Sequence, residues 1–432
     1  MNPRGVACAV LLLAVLCGTR AVSTQTYKAG ETFDAVLKIV KDSHFDPAFD
    51  VAKWERLGAD LRPKAVEAKT QGEFRAVLAD LLGRLDLSHF AVIPSTPDSP
   101  GDYVDQSGQP GFDVRLIDRQ LVVSSVDPDG GAAAAGVRPG WILQSIGGRP
   151  VSALLAGIPD ATPPRLAQLQ AWRLAVTRLR GSSNTSAEIG FVDGTGAAVT
   201  KSVVRKYEQG QPVTVGSLPT MHVRVSSSLR PTPSGKKAGV IGFNVWMTAV
   251  NIEFEKAMDR FRSADGVVID LRGNPGGLAA MIMRLAGNFV DKPLTLGIMK
   301  TRDTTLTFHS NPRLVDDAGN RVEPFKGPVA ILVDGMTGSA SECFSGGLQS
   351  LGRARVFGQT SMGQALPALF DRLPNGDVLI HAWGDFVTGT GVRIEGRGVV
   401  PDEPVELSRA SLLAGRDATL EQALAWIDRA TK

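Results

Sequence analysis

Cysteine is scarce in this chain, which has three cysteines among 432 residues. Two of them, Cys8 and Cys17, lie in an N-terminal segment that has the pattern of a cleavable signal peptide. Removal of that segment would leave Cys343 alone, and one cysteine cannot form a disulfide within the chain. The protein must therefore be stabilised by hydrophobic cores, and the remaining residues, about 410, are enough for two to four domains.

The chain also lacks a strong excess of either charge. It has 47 Lys and Arg residues against 44 Asp and Glu residues. Loss of Arg4 and Arg20 with the N-terminal segment would lower the formal net charge from +3 to +1. This balance predicts no nucleic-acid partner and no electrostatic binding to an anionic membrane.

Long apolar runs are absent outside the N-terminus. The run Val6–Leu16 follows the basic Arg4 and precedes small residues that suit a cleavage site. Its eleven residues are too few to span a bilayer comfortably. We therefore predict a signal peptide over residues 1–23 and export to a bacterial periplasm or to the cell exterior. An uncleaved segment would keep the protein associated with the membrane.

Histidine is rare as well, with five residues in the chain. His44, His222, His309 and His381 show no metal-binding spacing such as H-E-x-x-H. The sequence therefore predicts neither a metal site nor a cofactor.

Three hydrophobic patterns follow one another along the chain. Residues 24–103 show the helical period up to a helix-to-strand corner at Ser88-His89. Residues 104–206 are rich in short strand patterns and turns. Residues 207–432 alternate buried strand runs with helical patterns, which is typical of an α/β domain. We therefore predict an α+β multidomain protein with a helical N-terminal domain, a β-rich module and a C-terminal α/β domain.

The β-rich module contains the stretch Ala132-Ala133-Ala134-Ala135-Gly136-Val137-Arg138-Pro139-Gly140-Trp141-Ile142. This stretch resembles the signature of PDZ domains, apart from Trp141, where those domains usually have Asp. The resemblance implies a peptide groove flanked by a helix over Leu166–Leu179, and a loop whose backbone N–H groups receive a C-terminal carboxylate. The residues implied for that loop are Gly111, Phe112, Asp113 and Val114.

The stretch Pro328–Gln349 combines three features that suit a catalytic nucleophile. The apolar run Val329–Val333 predicts a buried strand, small residues around Ser339 predict a tight turn, and a helical pattern follows. A serine on such a turn exposes its Oγ, and the helix N-terminus favours developing negative charge. A serine that only caps the helix would leave the same pattern.

A second turn, Arg272–Gly277, is rich in glycine and follows the predicted buried strand Gly266–Leu271. It lacks the spaced glycines of a dinucleotide-binding fingerprint and the Gly-Lys-Ser/Thr of a phosphate-binding loop. Its backbone N–H groups are instead candidates for an oxyanion hole, because glycine permits a positive φ and a close approach of substrate.

Three motifs together resemble the carboxyl-terminal processing peptidases, also called tail-specific proteases. They are Asp270-Leu271-Arg272-Gly273-Asn274-Pro275-Gly276-Gly277, Gly338-Ser339-Ala340-Ser341-Glu342 and Gly358-Gln359-Thr360-Ser361-Met362-Gly363. The resemblance implies a Clp/crotonase-like α/β catalytic domain preceded by a PDZ domain. It also implies that Ser339 is the nucleophile and that the N–H groups of Gly277 and Ala340, beside Gly276, hold the oxyanion.

One departure from the best-known branch of that family bears on the mechanism. That branch has a lysine base 25 residues after the nucleophile, and Gln364 occupies this position here. A glutamine amide cannot take a proton near pH 7. The only lysine after Ser339 is Lys432, the last residue, so a Ser-Lys pair of the usual kind is excluded.

A second branch, similar to the core of tricorn protease, has a Ser-His pair near its start and a glutamate after the nucleophile. Ser88-His89 and the segment Ile394-Glu395-Gly396-Arg397-Gly398 match these two features. The resemblance implies that His89 is the general base, and that Ser88 and Glu395 orient and polarise its imidazole.

These residues predict an exported serine endopeptidase that hydrolyses polypeptides through an acyl-enzyme. The PDZ-like module would present the polypeptide substrate, for example by binding its C-terminus. One alternative is a catalytically silent binding or scaffold protein on the same fold, with a peptide or an apolar ligand as its partner. Another is an esterase or acyltransferase that uses the same residues. The distance between the Ser88-His89 corner and Ser339 separates the silent protein from the enzymes.

Overall fold

The computed structural model describes residues 28–95, 107–216, 218 and 220–431. The predicted signal peptide over residues 1–23 and the first residues of the predicted β-rich module lie outside this range. The described chain has the α+β multidomain architecture that the sequence predicts. Its elements fall into a helical part, a β-rich part and an α/β part in chain order.

The helical part is built from three helices and the short strand that follows them. Asp50 and Thr70 accept hydrogen bonds from Lys53 N and Glu73 N, so side chains cap the second and third helices. Each helix buries one apolar stripe in a shared core. The elements are α1 (Ala29–Ser43), α2 (Val51–Glu67), α3 (Gln71–Gly83) and β1 (Ala91–Ile93).

The β-rich part has a hydrophobic core of its own. Its sheet has the strand order β3-β4-β5-β7-β8, with β6 paired to β5. The elements are β2 (Gly108–Gln109), β3 (Phe112–Ile117), β4 (Gln120–Val126), α4 (Gly131–Ala134), β5 (Ile142–Ile146), β6 (Arg149–Pro150), α5 (Val151–Leu155), α6 (Pro164–Leu179), β7 (Ser186–Val192), β8 (Ala198–Val204) and β9 (Lys206–Tyr207). Helix α6 lies beside β3, as the sequence predicts for the helix that flanks the groove.

The structure differs from the sequence-based prediction of a loop over residues 111–114. Phe112, Asp113 and Val114 lie in strand β3, and only Gly111 stays outside it. These residues are in a strand because Phe112 and Asp113 pair with Val126 and Ser125 of β4 and so extend the antiparallel ladder.

The α/β part centres on a sheet with the strand order β12-β13-β14-β17-β18-β22, which is parallel from β13 to β22. The elements are β10 (Gln211–Val213), β11 (Met221–Val223), β12 (Val225–Pro231), β13 (Lys237–Phe243), α7 (Ala249–Arg260), β14 (Gly266–Asp270), α8 (Met281–Ala286), β15 (Leu294–Lys300), β16 (Thr305–Ser310), β17 (Val329–Val333), α9 (Ala340–Ser350), β18 (Arg355–Gly358), β19 (Ala368–Arg372), β20 (Val378–Ala382), β21 (Asp385–Thr388), β22 (Glu403–Pro404), α10 (Arg409–Leu413) and α11 (Ala418–Ala430).

Two neighbouring parallel strands bring the two functional turns together. Strand β14 ends at Asp270 opposite Leu332 of β17, so both chains leave the sheet at its carboxyl edge. The glycine-rich turn follows β14, and the turn that carries Ser339 follows β17. This edge is where ligands bind in open α/β sheets.

The helical part docks on a hairpin of the α/β part. Strand β1 pairs with β20, so that Ala91 lies opposite Ile380. Arg75 of α3 makes a buried ion pair with Asp377 at the tip of the β19–β20 hairpin. The helical core also includes four side chains of the α/β part, namely Leu366, Leu373, Leu379 and Ala382. The corner at Ser88-His89, just before β1, is thereby held against the α/β part.

Candidate active site

Ser339 stands at the junction between the turn after β17 and helix α9. Its φ is +53°, a value that residues other than glycine rarely adopt. The turn is fixed from both sides, because Thr337 Oγ1 donates to Leu271 O at 2.8 Å and Ser339 N donates to Gln364 O at 2.9 Å. A strained serine on a sharp strand-to-helix turn is typical of a catalytic nucleophile.

A buried carboxylate supports this turn from within α9. Glu342 accepts hydrogen bonds from Ser361 Oγ at 2.5 Å, Gly363 N at 2.6 Å, Gln364 N at 3.0 Å and Ser339 N at 3.0 Å. Burial raises the pKa of Glu342 to about 7, although these hydrogen bonds oppose the shift. Glu342 thus orders the nucleophile turn and the loop after β18 together.

The glycine-rich turn packs directly against the nucleophile turn. A Cβ added to Gly276, where φ is +103°, would lie 2.5 Å from Ser339 Cβ and 3.0 Å from Ala340 N. The N–H of Gly276 donates to Asn274 Oδ1 at 3.0 Å. In the described part of the chain, the N–H groups of Gly277 and Ala340 have no hydrogen-bond partner, so these two are available to an oxyanion and that of Gly276 is not.

The Ser88-His89 corner makes a hydrogen-bonded series with Glu395. Ser88 Oγ lies 2.8 Å from His89 Nδ1 and donates to Glu395 Oε2 at 2.9 Å. Ser88 N donates to Glu395 Oε1 at 3.0 Å, and Ala365 N donates to Glu395 Oε2 at 2.8 Å. Burial lowers the pKa of His89 to about 4, so its imidazole is neutral at pH 7.

A two-residue segment joins this series to the nucleophile turn. Gln364 O accepts from Ser339 N, and the next residue, Ala365, donates to Glu395. The structure therefore brings Ser88, His89 and Glu395 into one cluster beside the loop that contacts Ser339. No hydrogen bond joins His89 to Ser339 among the residues that the structure describes. Since Ser88 engages Nδ1, the ring nitrogen left for Ser339 is Nε2.

The expected peptide-binding residues form a separate cluster. Asp113 Oδ1 accepts from Val114 N at 2.9 Å and from Trp172 Nε1 at 2.7 Å. Arg115, next along β3, donates to Asp334 Oδ2 at 3.1 Å, and Asp334 begins the nucleophile turn. The β-rich part thus contacts the nucleophile turn through Arg115, whereas Phe112, Asp113 and Val114 do not enter the cluster around Glu395.

Sequence reasoning gave no role to Arg165 of α6. Its guanidinium donates to three backbone carbonyls of the α/β part, namely Ser361 O at 2.8 Å, Arg397 O at 2.9 Å and Gly396 O at 3.0 Å. No sequence signal marks such a residue, because backbone carbonyls occur at every position and their approach to α6 is set by the fold.

Two kinds of feature, a metal-binding cluster and a membrane-spanning helix, are absent from the described ranges. No group of three or more His, Cys, Asp or Glu residues there is placed to hold a metal ion. Within the same ranges, no helix has both the length and the apolar character needed to cross a membrane.

Comparison with known proteins identifies the chain's relatives. The model of peptidase family S41 matches residues 237–405, which include the glycine-rich turn, Ser339 and Glu395. This part of the chain is therefore similar to peptidase family S41. A probable CtpA-like serine protease of Staphylococcus haemolyticus is 26% identical over 311 residues, which are 71% of this chain and 54% of the relative. One from Staphylococcus aureus strain MRSA252 is 26% identical over 300 residues, 68% of this chain and 52% of the relative.

The chain spans about half the length of the curated relatives it matches. Those relatives are named as probable serine proteases, and the matched model is that of a peptidase family.

Solved structures share the fold over most of this chain. The photosystem II D1 C-terminal processing protease is 18% identical with a TM-score of 0.55, covering 91% of this chain and 98% of that one. Mature CPAF complexed with lactacystin is 14% identical with a TM-score of 0.62, and the match covers 93% of this chain and 99% of CPAF. Tricorn protease is 17% identical with a TM-score of 0.53, and the match covers 94% of this chain and 37% of tricorn protease. These likenesses establish the architecture.

Proposed function

We propose that this chain is an exported serine endopeptidase in which Ser339 is the nucleophile and His89 the general base. The observation that carries the proposal is the double role of Glu395. This carboxylate holds Ser88 at 2.9 Å, and Ser88 holds His89, while Ala365 N binds the same carboxylate beside the residue that contacts Ser339. The base and the nucleophile turn are therefore positioned by a single side chain.

The hydrogen bonds give each proton a defined place. Glu395 accepts from Ser88 Oγ–H, so Ser88 Oγ accepts from His89 Nδ1–H and leaves Nε2 unprotonated. Nε2 takes the proton of Ser339 Oγ as this oxygen attacks the scissile carbonyl carbon. The carbonyl oxygen becomes an oxyanion held by the N–H groups of Gly277 and Ala340.

Collapse of this intermediate breaks the C–N bond. The leaving amine receives the proton from His89 Nε2, and the acyl group stays on Ser339 Oγ as an ester. Water then attacks the ester as His89 Nε2 takes one of its protons. The C–O bond to Ser339 breaks, His89 returns the proton to Ser339 Oγ, and the new carboxylic acid is released as its carboxylate. No cofactor enters this scheme.

Labelling with a fluorophosphonate probe tests the proposal directly. The wild type is expected to label at Ser339, because a serine that feeds its proton to a histidine attacks phosphorus readily. Ser339→Ala should not label. Ser350→Ala alters the last residue of α9, the helix that follows Ser339, and should label as the wild type does. Absence of labelling in folded wild type, with unfolded polypeptide present, would overturn the proposal.

The silent binding protein is the second candidate, and one observation favours it. His89 and Ser339 are not hydrogen-bonded to each other in the described ranges, so the proposed mechanism requires the two side chains to come within hydrogen-bond distance when substrate binds. The labelling experiment in the presence of polypeptide decides between the two candidates, because only an activated serine reacts.

The pH dependence of activity tests the assignment of His89. Burial lowers the pKa of His89 to about 4 from its usual value of 6.5. We expect kcat/KM to stay level from about pH 8 down to about pH 5 and to fall at lower pH. The fall comes at low pH because His89 stops acting as a base only when it is protonated, near its lowered pKa. A fall centred near pH 7 would contradict the lowered pKa of His89.

A further inference from the structure

Strand β19 is an open edge beside the candidate active site. It is the outer strand of the sheet β1-β20-β19 and, in the described part of the chain, pairs only with β20. Edge strands are usually protected by charged residues, proline or a covering segment. The second half of β19 carries the charged Asp371 and Arg372, whereas Leu369 and Phe370 in its first half are 42% and 43% exposed.

Two hydrogen bonds establish which backbone groups of β19 point outward. Leu373 N donates to Asp377 O at 2.8 Å and Trp383 N donates to Pro367 O at 3.0 Å, one bond at each end of the β19–β20 ladder. Hydrogen-bonded and non-hydrogen-bonded pairs alternate in an antiparallel ladder. Residues 369 and 371 therefore face β20 with their N–H and C=O groups.

The remaining residues of β19 present the same groups to the open side. They are Ala368, Phe370 and Arg372, which stand opposite Ala382, Ile380 and Val378 in the register. In the described ranges, no side chain or backbone group forms a hydrogen bond with the N–H or C=O of these three residues. As far as the described residues go, the edge therefore offers the N–H and C=O groups of these three residues without a partner.

This edge continues the chain that holds the nucleophile. Gln364 O accepts from Ser339 N, and β19 begins four residues later at Ala368. At about 3.3 Å per residue in extended chain, the strand starts at most about 13 Å along the backbone from that contact. A polypeptide lying along β19 would have its next few residues within reach of Ser339.

We propose that β19 binds an extended segment of the polypeptide substrate by strand addition, in register with the outward groups of Ala368, Phe370 and Arg372. Backbone pairing is independent of sequence and requires a chain that is already unfolded. Contact with Leu369 and Phe370 adds a preference for apolar substrate side chains. The substrate class is therefore unfolded, apolar-rich polypeptide several residues longer than the cleavage site alone. This inference rests on the proposed peptidase function.

A proline substitution separates backbone pairing from side-chain contact. Phe370→Pro removes an outward N–H without removing a hydrogen bond to β20, which is why proline is tolerated at such edge positions. Phe370→Ala keeps the N–H and removes only the ring. With β-casein as unfolded substrate, Phe370→Pro is expected to raise KM at least tenfold with kcat unchanged, and Phe370→Ala to raise KM about threefold.

Three controls make the result specific. Leu229→Ala alters an exposed leucine on β12, a different edge strand (53% exposed), and should leave KM unchanged. A short chromogenic peptide that ends before β19 should be cleaved equally by all variants, and fluorophosphonate labelling should be equal as well. If Phe370→Pro does not fold, as judged by thermal unfolding, Ala368→Pro removes the first outward N–H instead.

The outcomes distinguish this inference from the proposed function. Unlabelled wild type would defeat the peptidase itself. Normal labelling with an unchanged KM for β-casein in the proline variant would overturn only strand addition at β19. Light scattering adds a further outcome, because a dimer that becomes monomeric in the proline variant at unchanged KM would show that a second copy of the chain occupies the edge.

Discussion

His89→Ala is expected to lower kcat/KM for peptide hydrolysis by roughly 10⁴-fold, because removal of a general base from a serine triad costs about this much. The loss should appear in kcat, since His89 takes the proton of Ser339 and makes no contact that would only bind substrate. The ring is half-buried, so the thermal unfolding temperature should change little. Steady-state kinetics with a chromogenic peptide measures the first effect and calorimetry the second.

His309→Ala is the matched control, because His309 is an exposed histidine on β16 that contacts Thr295 and, in the described ranges, has no hydrogen bond to Ser88, Ser339 or Glu395. It should retain wild-type activity. Added imidazole should restore part of the activity of His89→Ala, since the ring vacates a space beside Ser88. Activity of His89→Ala within tenfold of the wild type would mean that another group accepts the proton of Ser339.

Gly276→Ala is expected to reduce kcat by about 10² to 10³-fold, the range seen when an oxyanion donor is lost. The added Cβ would lie 2.5 Å from Ser339 Cβ and 3.0 Å from Ala340 N. The nucleophile turn must then move away from the glycine-rich turn, which separates the N–H groups of Gly277 and Ala340. Because substrate contacts elsewhere persist, KM should change less than kcat.

The control for backbone strain is Gly391→Ala. Gly391 has a φ of +87°, comparable with the +103° of Gly276, but a Cβ there would meet nothing within 4 Å. Gly391→Ala should therefore lower the free energy of unfolding by about 1 kcal/mol, the cost of a positive φ in alanine, and leave kcat unchanged. Equal losses of activity in the two variants would show that strain rather than the clash with Ser339 is responsible.

Local sequence patterns predicted two strands of the central sheet closely. The predicted strand Val329–Val333 is β17 with the same bounds, and the predicted strand Gly266–Leu271 is β14, which ends one residue earlier; a short apolar run covered on both faces is typical of a buried strand. Residues Leu278–Phe289 also show a helical apolar pattern, but helix α8 spans only Met281–Ala286. The residues before it, from Gly277, instead bridge to Trp246, and Leu278 N donates to Trp246 O.

The candidate site could be assembled from motifs, but its geometry could not. Ser88 and Glu395 are 307 residues apart in the chain, and no periodicity relates them. Asn274 and Arg165 escaped notice because each binds the backbone, Asn274 at Gly276 N and Arg165 at three carbonyls. Such partners leave no complementary residue type in the sequence. The peptide-binding role of the PDZ-like module remains a prediction.

The docking of β1 on β20 has a consequence for how the protein is made. The corner that carries His89 emerges early in synthesis, whereas the hairpin that anchors it and the carboxylate that orients it, Asp377 and Glu395, emerge more than two hundred residues later. On the proposed assignment, a nascent or truncated chain that already contains Ser339 still lacks a positioned base. Hydrolytic competence then arises only after Glu395 has been synthesised and has folded against the corner, which protects the producing cell from the incomplete enzyme.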